Sequence, residues 1–358
     1  MAVVAVALSG GVDSAVAAHL LQEAGHQVIG LTLDLGLSGA VPSPEEHPAA
    51  GKAVHDARQV AEQLGIPHYV FDFREIFASQ VIQYFIEEYL QGRTPNPCVV
   101  CNYQIKFGQL RKQAQKLGAD LLATGHYARI KPNAEGRWLL CRGKDLHKDQ
   151  SYFLYTLNQE QLQFSRFPLG EYQKKDIRQI ARSLNLKVAE KAESQEICFI
   201  TERDYRHFLR KRAAKKIRPG PFFNQQNKKL GQHQGLPYYT VGQRKGLGLA
   251  LGRPLYVVRI EPERNAVILG EEKELYHRYV WAEKNNFIPF EAIAHPLKVE
   301  AKVRYAAPPA EAVIYPTPDQ QVRIEFVVPQ RAIAPGQAVV YYQGDLVVGG
   351  GTIVHSES

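Results

Sequence analysis

Membrane-spanning material is missing from this 358-residue chain, since no run is long and apolar enough to cross a bilayer. The N-terminus enters a strand-like segment at once, without a leader of signal-peptide type, so a cytoplasmic location is expected. Cysteine is scarce. Cys98, Cys101, Cys141 and Cys198 are too few and too unevenly spaced for the disulfide framework of a secreted scaffold. Cys98 and Cys101 form half of a zinc site, and neither distant cysteine belongs to a second pair, which argues against zinc. Acid is in deficit: the net charge of +8 and pI near 9.1 favour an anionic partner, although an excess this small also suits a solvated surface. With 45% hydrophobic and 22% charged residues, nothing indicates disorder, and the length accommodates two or three domains.

A further absence lies in "LSGGVDSAVAAHLLQEAG", residues 8–25. The run Val3 to Leu8 reads as a buried parallel strand, and Val16, Leu20, Leu21 and Ala24 keep helical spacing up to Gly25. The glycines between them make a tight strand-to-helix turn whose unpaired first-turn amides, with the helix dipole, suit an anion. The common nucleoside triphosphate loop ends in Gly-Lys-Ser/Thr, and no lysine follows here. Ser9 and Ser14 remain as hydroxyl donors, Gly10 and Gly11 allow close backbone approach, and Asp13 is a candidate partner for Mg2+. Ser9 to Ser14 resemble the signature of the ATP pyrophosphatase families, which cleave ATP to AMP and pyrophosphate and leave an adenylated substrate. The bland alternative is an ordinary glycine turn.

The first half alternates strands and helices: "QVIGLTL", a helix from about Lys52 to Leu64, "HYVFDF", helices from about Glu75 to Leu90 and from Tyr103 to Leu117, and "DLLATG". This pattern predicts an α/β doubly wound parallel sheet that binds ligands beyond the carboxyl ends of its strands. Residues 36–51 carry no pattern and read as a connection over the nucleotide site. From about Asp204 the pattern changes to a basic run, Arg203, Arg206, Arg210, Lys211, Arg212, Lys215, Lys216 and Arg218, and then to short alternating strands divided by Gly and Pro. The run reads either as a solvated helix face or as a contact with nucleic-acid phosphates. Three segments are expected: an ATP pyrophosphatase-like α/β domain over 1–203, a basic connector domain over 204–276, and a β-barrel-like domain over 277–358.

"GRTPNPCVVCN" sets two cysteines before a predicted helix, where the dipole would stabilise a thiolate on Cys101. Cys198 lies in the apolar "ICFI", and Cys141, in "RWLLCRG", reads as a buried small hydrophobe. With "SGGVDS", "IKFG", "ATGHYARI", "KDQSYFLY", "HQGLPYYTVGQRKGLG", "VRY", "PGQAVVYY" and "GGG", these segments make nearly the whole chain resemble the tRNA-specific 2-thiouridylases.

The resemblance implies an enzyme that replaces the 2-oxygen of the wobble uridine of tRNA by sulfur, using ATP with Mg2+ and a persulfide passed by a cysteine desulfurase or a sulfur-relay protein. By position, Ala7, Leu8, Ser9, Gly10, Gly11, Val12, Asp13, Ser14, Leu33 and Gly125 would line the ATP site, and Asn96, Pro97 and Cys98 would surround the target base. His126, Lys148, Asp149, Gln150, Arg304, Tyr305 and Gln337 would touch tRNA. Cys101 would be the nucleophile and Cys198 the persulfide carrier, a pair that must come within disulfide reach. Read alone, Lys148 to Gln150 also suit a helix entrance, and Arg304 an exposed strand position.

One departure matters. Some relatives carry aspartate, cast as a general acid/base, where this chain has Cys98, and a thiol with its higher pKa is a poor substitute. Either another group takes that step, with Cys98 auxiliary, or Cys98, Cys101 and Cys198 hold an iron–sulfur cluster. Two rivals stand outside this family: an amide-forming ATP pyrophosphatase, which would not need Cys101 and Cys198, and a non-catalytic RNA-binding protein, which would not need Asp13.

Overall fold

The computed structural model describes residues 1–36, 50–191, 197–200, 204–249 and 252–358. The predicted connection over 36–51, apart from its ends, and Arg203 lie outside the described residues. Among the described residues no helix is long and apolar enough to cross a membrane.

The chain divides into two compact units. The first comprises 1–81, 98–201 and 345–347. Its sheet contains β1 (Val3–Ala7), β2 (Gln27–Asp34), β3 (His68–Asp72), β4 (Leu121–Ala123) and the two-residue β7 (Ser165–Arg166), all parallel, in the order β3-β2-β1-β4-β7. The order reverses at β1, so a crevice opens beyond the carboxyl ends of β1 and β4. Val4 and Val6 of β1 pack against Val12, Val16 and Leu21 of α1 (Val12–Glu23), and Ala57, Val60 and Ala61 of α2 (Ala50–Leu64) join this core. Burial of β1 on both faces fits the unbroken apolar run of its sequence. An antiparallel hairpin of β5 (Ala128–Pro132) and β6 (Trp138–Arg142) belongs to the same unit, and Cys141 is buried in it, paired with Leu346.

Two helical predictions need correction. The helix expected from about Glu75 to Leu90 is α-helical over Arg74–Phe77 and Gln83–Leu90, with a π-helical turn at Ala78–Ile82. The helix expected to begin at Tyr103 begins at Pro97, runs as π-helix over Cys101–Leu110 and ends at Lys116. Proline needs no N–H donor in a first turn and its fixed φ is preset for a helix, so "PNP" opens the helix instead of preceding it. Cys98 and Cys101 are therefore helical residues.

The second unit comprises 82–97, 202–344 and 348–358. One of its sheets holds β8 (Gly220–Asn224), β9 (Lys229–His233), β10 (Tyr256–Glu261) and β11 (Ala266–Gly270). In the other, β12 (Tyr276–Phe287), β15 (Val322–Arg331), β14 (Ala310–Pro316), β13 (Leu297–Lys302), β16 (Ala338–Gln343) and β17 (Leu346–Glu357) follow one another, and pairing of β12 with β17 closes the ring into a barrel. Val280, Val299, Ile314, Ile324, Phe326, Val339 and Tyr341 fill it. The basic run forms the helix Tyr205–Ala213, with Tyr205 stacked on Tyr89 and Phe208 edge-on to Phe85. Its buried side is Leu209 and Ala213, which leaves Arg210, Lys211, Arg212, Lys215 and Lys216 exposed.

Candidate active site

The loop between β1 and α1 is built around Gly10. Its φ is +68°, and a Cβ there would lie 2.6 Å from the Ala53 carbonyl oxygen and 2.9 Å from Asp56 Cβ, so conformation and space both exclude a side chain. The Ser9 N–H donates to Ser14 Oγ at 3.1 Å, and that hydroxyl donates to the Gly11 carbonyl at 3.1 Å. No side chain caps the first turn of α1, which leaves its amides for a ligand. A Cβ on Gly125, just past β4, would come within 2.9 Å of the Ser14 nitrogen, so backbone meets backbone across the crevice. Of the other residues expected at the nucleotide, Leu8 and Val12 are buried in the core and Ala7 and Leu33 are half-buried. The donors and the space suit a phosphate chain.

Cations absent from the loop arrive from far along the chain. Lys174 Nζ stands 2.7 and 2.8 Å from the two carboxylate oxygens of Asp13, and the Tyr127 hydroxyl donates to the same carboxylate at 2.8 Å. Lys191 Nζ donates to the Gly10 carbonyl at 2.8 Å and pairs with Asp56 at 2.6 Å. Sequence reasoning missed both lysines, since neither lies in a phosphate-binding pattern. Tyr127 stood unremarked inside "ATGHYARI".

The sulfur chemistry lies in the same unit. Cys98 and Cys198 are exposed, Cys101 is half-buried, and all are free thiols. Phe199 and Ile200, both buried, anchor Cys198, Phe199 edge-on to Phe77. The helix dipole was expected to favour the Cys101 thiolate, but burial wins. Loss of hydration raises the pKa of Cys98 and of Cys101, with the Lys106 ammonium partly opposing it. Cys198, although it touches solvent, is surrounded by enough protein that desolvation, helped by Cys101 and Cys98, pushes it up to about 12. Lys106, quoted within "IKFG" but assigned no role, thus acts electrostatically on all three thiols. Among the described residues no three His, Cys, Asp or Glu side chains are gathered as a metal requires.

The residues expected at tRNA fall into different environments. His126 is buried beside Phe107 and Phe167, its Nδ1 2.6 Å from Thr124 Oγ1, and burial followed by the Lys106 charge keeps its pKa well below the usual value. Buried Asp149 accepts from the Gly143 and Ser151 amides and from the Ser151 hydroxyl. Gln150 precedes the short 3-10 turn Ser151–Phe153, the helix entrance that the sequence allowed, its side-chain oxygen accepting from the Tyr127 N–H rather than capping the turn, and Lys148 is half-buried. In the second unit, Arg304 lies beyond the end of β13, half-buried, and donates to the Arg331 carbonyl, while Tyr305 is exposed beneath Lys302. Gln337 donates to the carbonyls of Thr94 and Pro95, next to Asn96 and Pro97.

Together these features define an α/β nucleotide-binding domain with an anion cradle at the carboxyl edge of a parallel sheet, in a chain that continues into β domains. Family models match in the same sequence: a tRNA methyl transferase HUP domain over residues 2–202, a tRNA methyl transferase PRC-barrel domain over 206–271 and an aminomethyltransferase beta-barrel domain over 277–353. The tRNA-specific 2-thiouridylase MnmA of Moorella thermoacetica is 56% identical over 350 residues, covering 97% of this chain and 98% of the relative. Those of Heliobacterium modesticaldum and Carboxydothermus hydrogenoformans are 52% and 51% identical, covering 99% and 98% of this chain and 92% and 97% of theirs. The chain belongs to the tRNA-specific 2-thiouridylase family.

Proposed function

We propose that this chain is an ATP-dependent tRNA sulfurtransferase that converts the wobble uridine to 2-thiouridine, releasing AMP and pyrophosphate. The observation that carries the reading is family membership at 56% identity over 97% of the chain. The cradle of Ala7 to Ser14 with Leu33 and Gly125 supports it, because it offers amides and hydroxyls to a phosphate chain.

The C2 carbonyl of uracil is a poor electrophile and its oxygen a poor leaving group. In the proposed reaction that oxygen attacks the α-phosphorus, pyrophosphate departs from the cradle, and the adenylated oxygen becomes a leaving group. A persulfide carried on Cys198 attacks C2 through its terminal sulfur and expels AMP. Cys101 then attacks the Cys198 sulfur, breaking the S–S bond, leaving sulfur on C2 and forming a Cys101–Cys198 disulfide that an external thiol reduces. The persulfide comes from a cysteine desulfurase or its relay protein. Asn96, Pro97 and Cys98 flank the extruded base. His126, Lys148, Asp149, Gln150, Arg304, Tyr305 and Gln337, with the basic helix, bind or shape the tRNA contact. The setting is cytoplasmic.

Asp13 would hold Mg2+, which would supply charge neutralisation for the pyrophosphate. An iron–sulfur cluster on Cys98, Cys101 and Cys198 is not favoured, since these thiols are not gathered as a cluster's ligands would be.

Release of pyrophosphate dependent on tRNA, with sulfur transferred to C2, tests the reading. Release of ADP and orthophosphate, or pyrophosphate release without tRNA thiolation, would overturn it.

A further inference from the structure

A lysine that the phosphate loop lacks in sequence stands beside it in space. Lys174 opens the helix Lys174–Ser183, is 8% exposed, and has its backbone N–H fixed by Asp145 at 3.0 Å. Its ammonium lies against the first turn of α1, bound to both oxygens of Asp13 and 5.7 Å from the centre of the Tyr127 ring. Holding an ammonium this far from water costs several kcal/mol unless it is paired, and Asp13 pairs it through both carboxylate oxygens. Asp13 itself is half-buried at the mouth of the cradle, where an unpaired carboxylate would repel a polyphosphate.

We propose that Lys174 is the phosphate-binding lysine of this site, held by Asp13 until nucleotide arrives and then shared with the pyrophosphate portion of ATP. The exchange places a preformed positive charge where negative charge gathers as pyrophosphate leaves, without the desolvation that a surface lysine would require. It also gives Asp13 two duties: it stores the lysine in the empty site, and it is freed by the exchange to face a cation. Lys191 has a different task. Its bonds to the Gly10 carbonyl and Asp56 secure the loop and give it no part in the exchange. The inference rests on the ATP reading above.

The experiment is binding by isothermal titration calorimetry in EDTA, with ATP, inorganic pyrophosphate and AMP as separate probes. Lys174→Met should weaken ATP and pyrophosphate at least tenfold and AMP less than twofold. The double variant Asp13→Asn/Lys174→Met separates exchange from mere neutralisation of Asp13. If Lys174 only cancels the Asp13 charge, the double variant recovers wild-type affinity for pyrophosphate and the inference falls. If Lys174 binds phosphate, the double variant stays at least tenfold weak. Equal losses for ATP and AMP would also overturn it. Should the single variant lose its cooperative melt, the double variant carries the test alone. A wild-type chain that binds neither ATP nor AMP would instead overturn the ATP reading.

Discussion

Gln337 reaches back across more than two hundred residues of sequence to Thr94: its side-chain amide donates to the Thr94 carbonyl at 3.1 Å and to that of Pro95 at 3.2 Å, while the Thr94 N–H donates to the Pro335 carbonyl at 2.8 Å. Three hydrogen bonds thus fix the segment that leads into Asn96 and Pro97. Each contributes about 0.5–1.5 kcal/mol. Gln337→Ala removes two of them and is expected to lower tRNA thiolation severalfold through KM for tRNA, with ATP affinity unchanged. Steady-state kinetics beside nucleotide titration check this, and an unaltered KM for tRNA would contradict it.

Gly10→Ala should abolish nucleotide binding. The added methyl would stand 2.6 Å from the Ala53 carbonyl, in a backbone conformation that L side chains rarely adopt, so the loop must shift or α2 must move. The strain should also cost about 1–3 kcal/mol of stability. Calorimetric ATP binding and urea denaturation measure the two effects. Wild-type behaviour in both would show that the loop tolerates a side chain.

For the thiols, Cys101→Ser and Cys198→Ser should each abolish thiolation by metal-free protein supplied with a desulfurase and persulfide donor, and Cys98→Asp should retain it. Activity that appears only after anaerobic iron–sulfur reconstitution, with visible absorption lost on changing Cys98, would replace the relay by a cluster.

The resting thiols should react slowly near neutrality. Burial raises all three pKa values, Cys198 to about 12, so the protonated form dominates at pH 7. Alkylation of Cys198 by iodoacetamide, read by mass spectrometry, should rise about tenfold per pH unit from pH 7 to 10, since each unit multiplies the thiolate fraction by that factor. The folded pKa lies above the unfolded value, so this group's contribution to stability is present below an ordinary thiol's value near 9 and is lost as pH rises towards 12. A plateau in alkylation near pH 8 would mean that the thiol is activated at rest.

The exposed cations of the basic helix and its extension should set the salt dependence of tRNA binding. Neutralising Lys211, Arg212, Lys215 and Lys216 together should flatten the slope of log affinity against log salt by about 0.7–0.9 for each phosphate that these side chains neutralise. An unchanged slope would return the run to the status of a solvated face.

Local chemistry was legible in the sequence. "VVAVA" before two glycines dictated a buried strand and a tight turn, because an apolar run this short and a residue able to take positive φ leave few alternatives. The parallel sheet followed from alternating strand and helix patterns. The tRNA-thiolation reading followed from motifs spread over the chain. Less legible were β12, whose residues Tyr276–Phe287 mix polar and apolar side chains without clean alternation, and the early helix start at Pro97, since a proline before two cysteines reads equally as a turn.

Only the tertiary structure decided what surrounds these motifs. That Lys174 and Lys191 supply charge to a loop with no lysine, that Gln337 fixes the segment before Asn96, and that Cys101 is raised in pKa at a helix start are outcomes of packing between residues far apart in sequence. A motif fixes its backbone through sterics that act over a few residues. The charge, hydration and hydrogen bonds at a site depend on everything within several ångströms, and the fold alone determines which residues those are.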